Sequence, residues 1–214
     1  MRIKMKITYL GHASILMETA AGTRIVTDPY GQDILAHPVV KAHVVTSSHE
    51  HYDHCDFSQV KGDYVIVNSD KATTFLDVKI TCVPCFHDEV QGRKRGCNRA
   101  YIFEADGLKI VHLGDLGEAP TQALIDACAG ADVIFIPVGG TYTLTGEEAA
   151  AAVKILQPKL AVPMHYRCPG HKFAVISTEE PFLAALDPGV PVHRLDALEG
   201  PFPAGVAVLT PTTK

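Results

Sequence analysis

The sequence predicts an α/β protein of stacked sheets with helices on the outside. Two observations lead there. The first half of the chain reads as short strands separated by turn residues, and the second half alternates helical segments with apolar strands. No repeat, low-complexity tract or linker interrupts the 214 residues, a length that suits one domain spanning 1–214.

The strands come first. Residues 6–10 and 14–19 have strand character, and Ala20-Ala21-Gly22-Thr23 supplies a turn. Residues 24–27 run into Asp28-Pro29, which should end that strand, because proline restricts the residue before it. Residues 39–46 form an apolar strand, followed by strands at 64–68 and 79–84. Residues 99–104 and 109–113 flank Ala105-Asp106-Gly107 and read as a hairpin. The second half begins with a helix over 121–129 and an apolar strand over 133–138. In the helix over 145–157, Thr145 caps the first turn and Glu148, three residues on, completes a capping box. A strand over 160–164 ends at His165, and a last helix covers 179–186.

Composition narrows the function classes. The chain is 47% hydrophobic and 20% charged, ordinary for a globular protein, and its net charge of −5 argues against a nucleic-acid surface. No apolar run approaches the ~18 residues of a membrane span. The start, MRIKMKITYLGH, lacks the apolar segment of a leader, so a cytoplasmic location is expected. Six cysteines in a chain of this size fit reduced thiols better than staples. The lone Cys82-Val83-Pro84-Cys85 reads as idle or buried thiols. An exposed apolar edge or helix face would support a homo-oligomer.

The chemistry concentrates in H-E-H-Y-D-H, residues 49–54, directly after an apolar strand. Side chains i and i+2 leaving a strand point the same way, so His49 and His51 can converge on one ion. Asp53 and His54 lie close enough to reach a neighbouring ion. Imidazole and carboxylate are preferred zinc ligands, and four such groups together are costly to bury without a compensating cation. Three more candidates sit just past apolar runs: His87, Asp115 and His165. His112 shares strand parity with Ile110 and reads as a buried, satisfied histidine. His37, His43, His171 and His193 carry no supporting pattern.

The order H-x-H-x-D-H, a lone His, Gly-Asp and a late His resembles the metallo-β-lactamase superfamily from Gly11-His12 to His165. G-H-A-S, T-D-P, H-L-G-D and P-V-G-G resemble a branch of metal-dependent hydrolases that includes sugar-acid-phosphate lactonases. The resemblance implies a four-layer αββα sandwich with the metals at one edge of the two sheets. It implies that His49, His51 and His87 hold a first divalent ion, that Asp53, His54 and His165 hold a second, and that Asp115 bridges them. Zinc is the expected metal, with manganese or iron as alternatives. Two such ions sharing a water lower its pKa, and the hydroxide attacks a small, possibly anionic, ester, lactone or phosphodiester, with Asp53 orienting the nucleophile or taking its proton. Asp28 is expected behind a ligand histidine and His12 at the site mouth. The substrate contacts named are Arg95, on a Gly-rich basic loop over 88–98, with Tyr142 and Tyr166. Two other readings stand beside this one: an iron-dependent oxidoreductase on the same fold, and a metal-binding protein without catalysis.

Overall fold

The computed structural model describes residues 5–212. Residues 1–4, which begin the stretch inspected for a leader, and 213–214 lie outside the described residues. The first strands are β1 (Lys6–Gly11), β2 (Ser14–Glu18), β3 (Arg24–Thr27), β4 (Val40–Lys41), β5 (Val44–Thr46), β6 (Val60–Lys61), β7 (Val65–Val67) and β8 (Thr73–Phe75). Then come β9 (Val78–Phe86), β10 (Cys97–Ala105), β11 (Leu108–His112), α1 (Gln122–Cys128), β12 (Val133–Pro137), α2 (Gly146–Leu156), β13 (Leu160–Met164) and α3 (Glu180–Ala184). The chain closes with β14 (Val192–Leu195), β15 (Ala197–Glu199) and β16 (Gly205–Leu209).

Two sheets stack face to face. The six-stranded sheet has the order β15-β1-β2-β3-β5-β7, and the eight-stranded sheet β14-β16-β13-β12-β11-β10-β9-β8. Alternation along each strand decides what lies between them. From the smaller sheet, Ile7, Tyr9, Ile15, Met17, Ile25 and Val44 enter the same core as Ile80, Phe103, Val111 and Phe135 of the larger one. Burying each such side chain contributes about 1.5–3 kcal/mol. Strands β12 and β13 are buried at every residue, because helices cover their second face. Thr145 and Glu148 make the expected capping box on α2. Gly146, at its start, lies so close to α3 that a Cβ would sit 2.4 Å from the Phe182 nitrogen.

The opposite face of the six-stranded sheet carries Leu10, Leu16, Val26 and Val45, packed against Val40, Ala42 and Val60. Turns and the small parallel β4–β6 pair cover it, so among the described residues this outer layer contains no helix. The strand expected over 39–46 is therefore two. It breaks at Ala42-His43, where the His43 amide bonds to the Arg24 carbonyl and β4 pairs with β6 instead. The pattern had also not marked β6, β8 and the three C-terminal strands. Strand β15 completes one sheet beside β1, while β14 and β16 extend the other. No helix among the described residues is long and apolar enough to cross a membrane.

Candidate metal centre

The ends of strands from both sheets meet at one edge. From the smaller sheet, β1 delivers His12, β3 delivers Asp28, and β5 opens into Ser47-Ser48 and the 49–54 cluster. From the larger sheet, His87 follows β9 directly, His165 follows β13 directly, and Asp115 lies three residues past β11. The loops are locked together by backbone contacts. The His165 amide donates to the His12 carbonyl at 2.6 Å, and both residues hold positive φ, 51° and 52°. Gly139 is required here because a Cβ would stand 2.2 Å from the His165 carbonyl oxygen.

The seven expected ligands fall into two groups sharing one carboxylate. His49, His51 and His87 bring ligand atoms within 4.8 Å of one another, as do Asp53, His54 and His165, together with His12. Between them, Asp115 Oδ2 lies 3.2 Å from each of His54 Nε2, His87 Nε2 and His165 Nε2. All are buried except His51, which opens to solvent.

This set fits divalent cations. Buried polar atoms normally have partners. Yet His87 Nδ1, His165 Nδ1 and Asp115 Oδ1 have none, and His54 Nε2 and His165 Nε2 have only the ionic contact to Asp115, without hydrogen-bond geometry. Charge states agree. Burial, followed by neighbouring His54, pushes His49 down to about 3, and burial with His87 lowers His51. Burial opposes ionisation of Asp115, but His165 and His54 outweigh it and hold the carboxyl well below the usual carboxylate range. Burial likewise opposes ionisation of Asp53, and His12 and His54 outweigh it. The exception is His54, where burial disfavours the cation but Asp115 and Asp28 raise its pKa well above the ordinary value. A position between two carboxylates favours a cation, whether a proton or a metal.

Asp28 stands directly behind His54. Fully buried, it accepts from Ser48 N at 2.8 Å, Ser48 Oγ at 2.5 Å and His54 Nδ1 at 2.9 Å. An ionised carboxylate only accepts, so His54 keeps a proton on Nδ1, and Nε2 is the nitrogen whose proton a metal would replace. Asn98 performs the same service for Asp115: its Oδ1 accepts the Asp115 amide while its Nδ2 donates to the Leu113 carbonyl. His112 is the satisfied core histidine expected, with Nε2 on the Ala13 carbonyl and Nδ1 accepting from the Gly114 amide.

His12 is inside the centre rather than at its mouth. It is fully buried, and burial first, then His165, pushes its pKa down to about 3. Its Nε2 is 3.2 Å from Asp53 Oδ2, and its Nδ1 is 3.0 Å from His171 Nε2. The protons in this chain follow by elimination. Asp53 accepts, so His12 donates through Nε2 and must accept at Nδ1. His171 therefore donates through Nε2, and its Nδ1 accepts from the Phe173 amide at 3.1 Å. Sequence reasoning missed His171 and Phe173, since neither lies in a motif and only the fold of the 165–177 loop brings them in.

The named substrate contacts separate. Arg95 and Tyr142 lie together, the guanidinium carbon 5.8 Å from the ring centroid. Tyr166 is instead a core residue, 3% exposed, packed against Tyr9 with its hydroxyl toward the Leu209 carbonyl. The six cysteines are unpaired, and Cys82 and Cys85 lie on β9 with Cys85 buried.

Stacked sheets with a His- and Asp-rich centre on one shared edge define the metallo-β-lactamase class of proteins. A family model for the beta-lactamase superfamily domain matches residues 6–165. A UPF0173 metal-dependent hydrolase of Thermococcus onnurineus is 31% identical over 191 residues, covering 76% of this chain and 84% of its own length. The chain belongs to the metallo-β-lactamase superfamily and, within it, to the UPF0173 metal-dependent hydrolase family. The crystal structure of a Thermotoga maritima member of the superfamily superposes with a TM-score of 0.78 at 37% identity, covering 96% of this chain and 98% of the other. A metallo hydrolase of Ignicoccus hospitalis shares the fold with a TM-score of 0.65 at 22% identity, covering 85% and 90%.

Proposed function

We propose that the chain works as one domain, in the cytoplasm, as a hydrolase of a small ester, lactone or phosphodiester, using two divalent ions, zinc before manganese or iron. The observation that carries this reading is the position of Asp115 Oδ2, equidistant at 3.2 Å from imidazoles of both groups. The names of the relatives support hydrolysis, and the Thermotoga protein is assigned as a Zn-dependent hydrolase. The lactone option rests on the sequence likeness to sugar-acid-phosphate lactonases.

His49, His51 and His87 would hold one ion, Asp53, His54 and His165 the other, with Asp115 between them. Divalent ions supply Lewis acidity and make water acidic enough to react near neutral pH. The protein's part is orientation and proton handling. Asp53, ionised and fixed by His12, takes the proton of the attacking water at a carboxylate oxygen. His171 and His12 hold that carboxylate in one rotamer, each in a single tautomer. Asp28 holds the proton on His54 Nδ1, so that Nε2 is the nitrogen that would exchange its proton for a metal. No serine or cysteine nucleophile is used.

The test pairs activity with metal content. Asp53→Ala and His51→Ala should abolish turnover on an ester, lactone and phosphodiester panel while circular dichroism stays native. Elemental analysis should find about two zinc or manganese ions per chain, fewer in His51→Ala. Full activity in either variant refutes the assignment. Iron with oxygen consumption replaces it with the oxidoreductase, and two bound metals with no turnover on the panel leave the non-catalytic metal-binding protein.

A further inference from the structure

Three aromatic rings and one guanidinium run outward from the centre, each in contact with the next. Tyr52 lies between the candidate ligands His51 and Asp53 in the chain and is 60% exposed. Phe173 approaches it at 6.3 Å, tilted 62°, and approaches Tyr142 at 6.5 Å, tilted 67°. The same Phe173 ring meets His12 edge-on at 5.8 Å. Large aromatic side chains left half-open beside a buried polar centre are poor core but good contact surface.

Arg95 is placed, not loose. Its amide and that of Lys94 donate to Asp88 Oδ2, while Val90 and Gly92 donate to Oδ1, so one buried carboxylate fastens the whole loop directly after the ligand His87. The side chain then crosses to the next loop, where Nη2 donates to the Thr141 carbonyl at 2.8 Å. That carbonyl is the guanidinium's one hydrogen-bond partner among the described residues, and no carboxylate pairs with it. Thr141 in turn donates to the Val175 carbonyl, tying this loop to the one that carries Phe173. A planar fork with donors to spare, stacked on an aromatic ring, suits a carboxylate or phosphate.

We infer that Tyr52, Phe173, Tyr142 and Arg95 form the recognition rim of this site, selecting substrates with a flat apolar body and an anionic group remote from the bond that is cut. This rests on the hydrolase reading. Arg95 connects to His12 through two intervening rings, Tyr142 and Phe173, and in the proposed pose its anion is a second one, apart from the group that the metals would engage. Tyr52 and Phe173 hold the apolar body between the two.

The test is calorimetric titration of the metal-loaded full chain with 4-phenylbutyrate, 3-phenylpropylphosphonate and neutral 4-phenylbutyramide. The anions should bind more tightly than the amide, and the tighter of them names the anion. Arg95→Ala should weaken both anions on the order of tenfold and leave the amide unchanged. Arg95→Lys should recover part of the loss. Phe173→Ala should weaken all three probes, and Arg93→Ala, on the same loop, none. The rim is overturned if Arg95→Ala binds the anions as wild type does, if it weakens the amide equally, if Phe173→Ala changes nothing, or if no probe binds wild type. Because binding is read without turnover, this pattern in a protein that hydrolyses nothing overturns only the hydrolase reading. Turnover without this pattern overturns only the rim.

Discussion

Replacing Asp28 by Asn changes one oxygen for one NH2 group and should still cost the centre a large part of its metal affinity. In the wild type, three donors converge on the buried carboxylate: Ser48 N, Ser48 Oγ and His54 Nδ1. Asn can keep its carbonyl on the Ser48 amide. Its NH2 then faces His54 Nδ1, donor against donor. The conflict resolves if His54 moves its proton to Nε2 and accepts at Nδ1. Nε2 is the atom aimed at Asp115, 3.2 Å away, and once protonated it has no lone pair for a metal. Loss of a partner that orients a ligand histidine weakens metal binding about 10–100-fold, or about 1.4–2.8 kcal/mol. Ser48→Ala removes one donor to Asp28 and the Oγ beside His49 Nδ1 but leaves His54 Nδ1 its carboxylate, so it should cost less than Asp28→Asn. Zinc competition against a chromophoric chelator measures both. A folded Asp28→Asn that binds zinc within twofold of wild type would refute the tautomer argument.

Two further outcomes follow from buried polar groups. Asn98→Leu strands the Asp115 amide and the Leu113 carbonyl, each costing about 1–3 kcal/mol; urea unfolding should show about 2–6 kcal/mol lost, and wild-type stability would sink the idea. His112 accepts from the Gly114 amide, so it is neutral in the fold, and burial, ahead of all other influences, lowers its pKa. The unfolded chain binds that proton first, so its contribution is present above about pH 6.5 and is lost as pH falls below it. In chelator-treated protein, His112→Gln should flatten the fall in stability between pH 7.5 and 5.5, whereas an unchanged slope assigns the fall elsewhere.

Much of this was legible in the residues, and the failures have physical causes. The ligand candidates could be read because each follows an apolar run, and a strand end fixes direction. The capping box and the long α2 helix were legible for the same reason: the signal is local. His171 was not, because its partner His12 is 159 positions away and nothing near His171 marks a site. Phe173 looked like one more apolar residue in a loop. Tyr166 was misplaced because its nearness to His165 in sequence says nothing about the side of β13 on which the ring falls. The C-terminal strands escaped for a related reason: β14 is short and half-exposed, and β15 leaves its neighbours to pair with β1.

The candidate ligands are divided between the sheets, His49 to His54 on one and His87, Asp115 and His165 on the other. A cation shared among them would act as a clasp, fastening two leaves that elsewhere adhere through apolar contact and a few hydrogen bonds such as Tyr101 Oη to the Val67 carbonyl. Among the described residues, five of the seven buried side-chain atoms without a hydrogen-bond partner lie at this clasp. The edge that carries the candidate ligands is thus the edge least content to stay shut without a cation. Chelation should open the molecule there first, like a book unlatched but still bound at the spine.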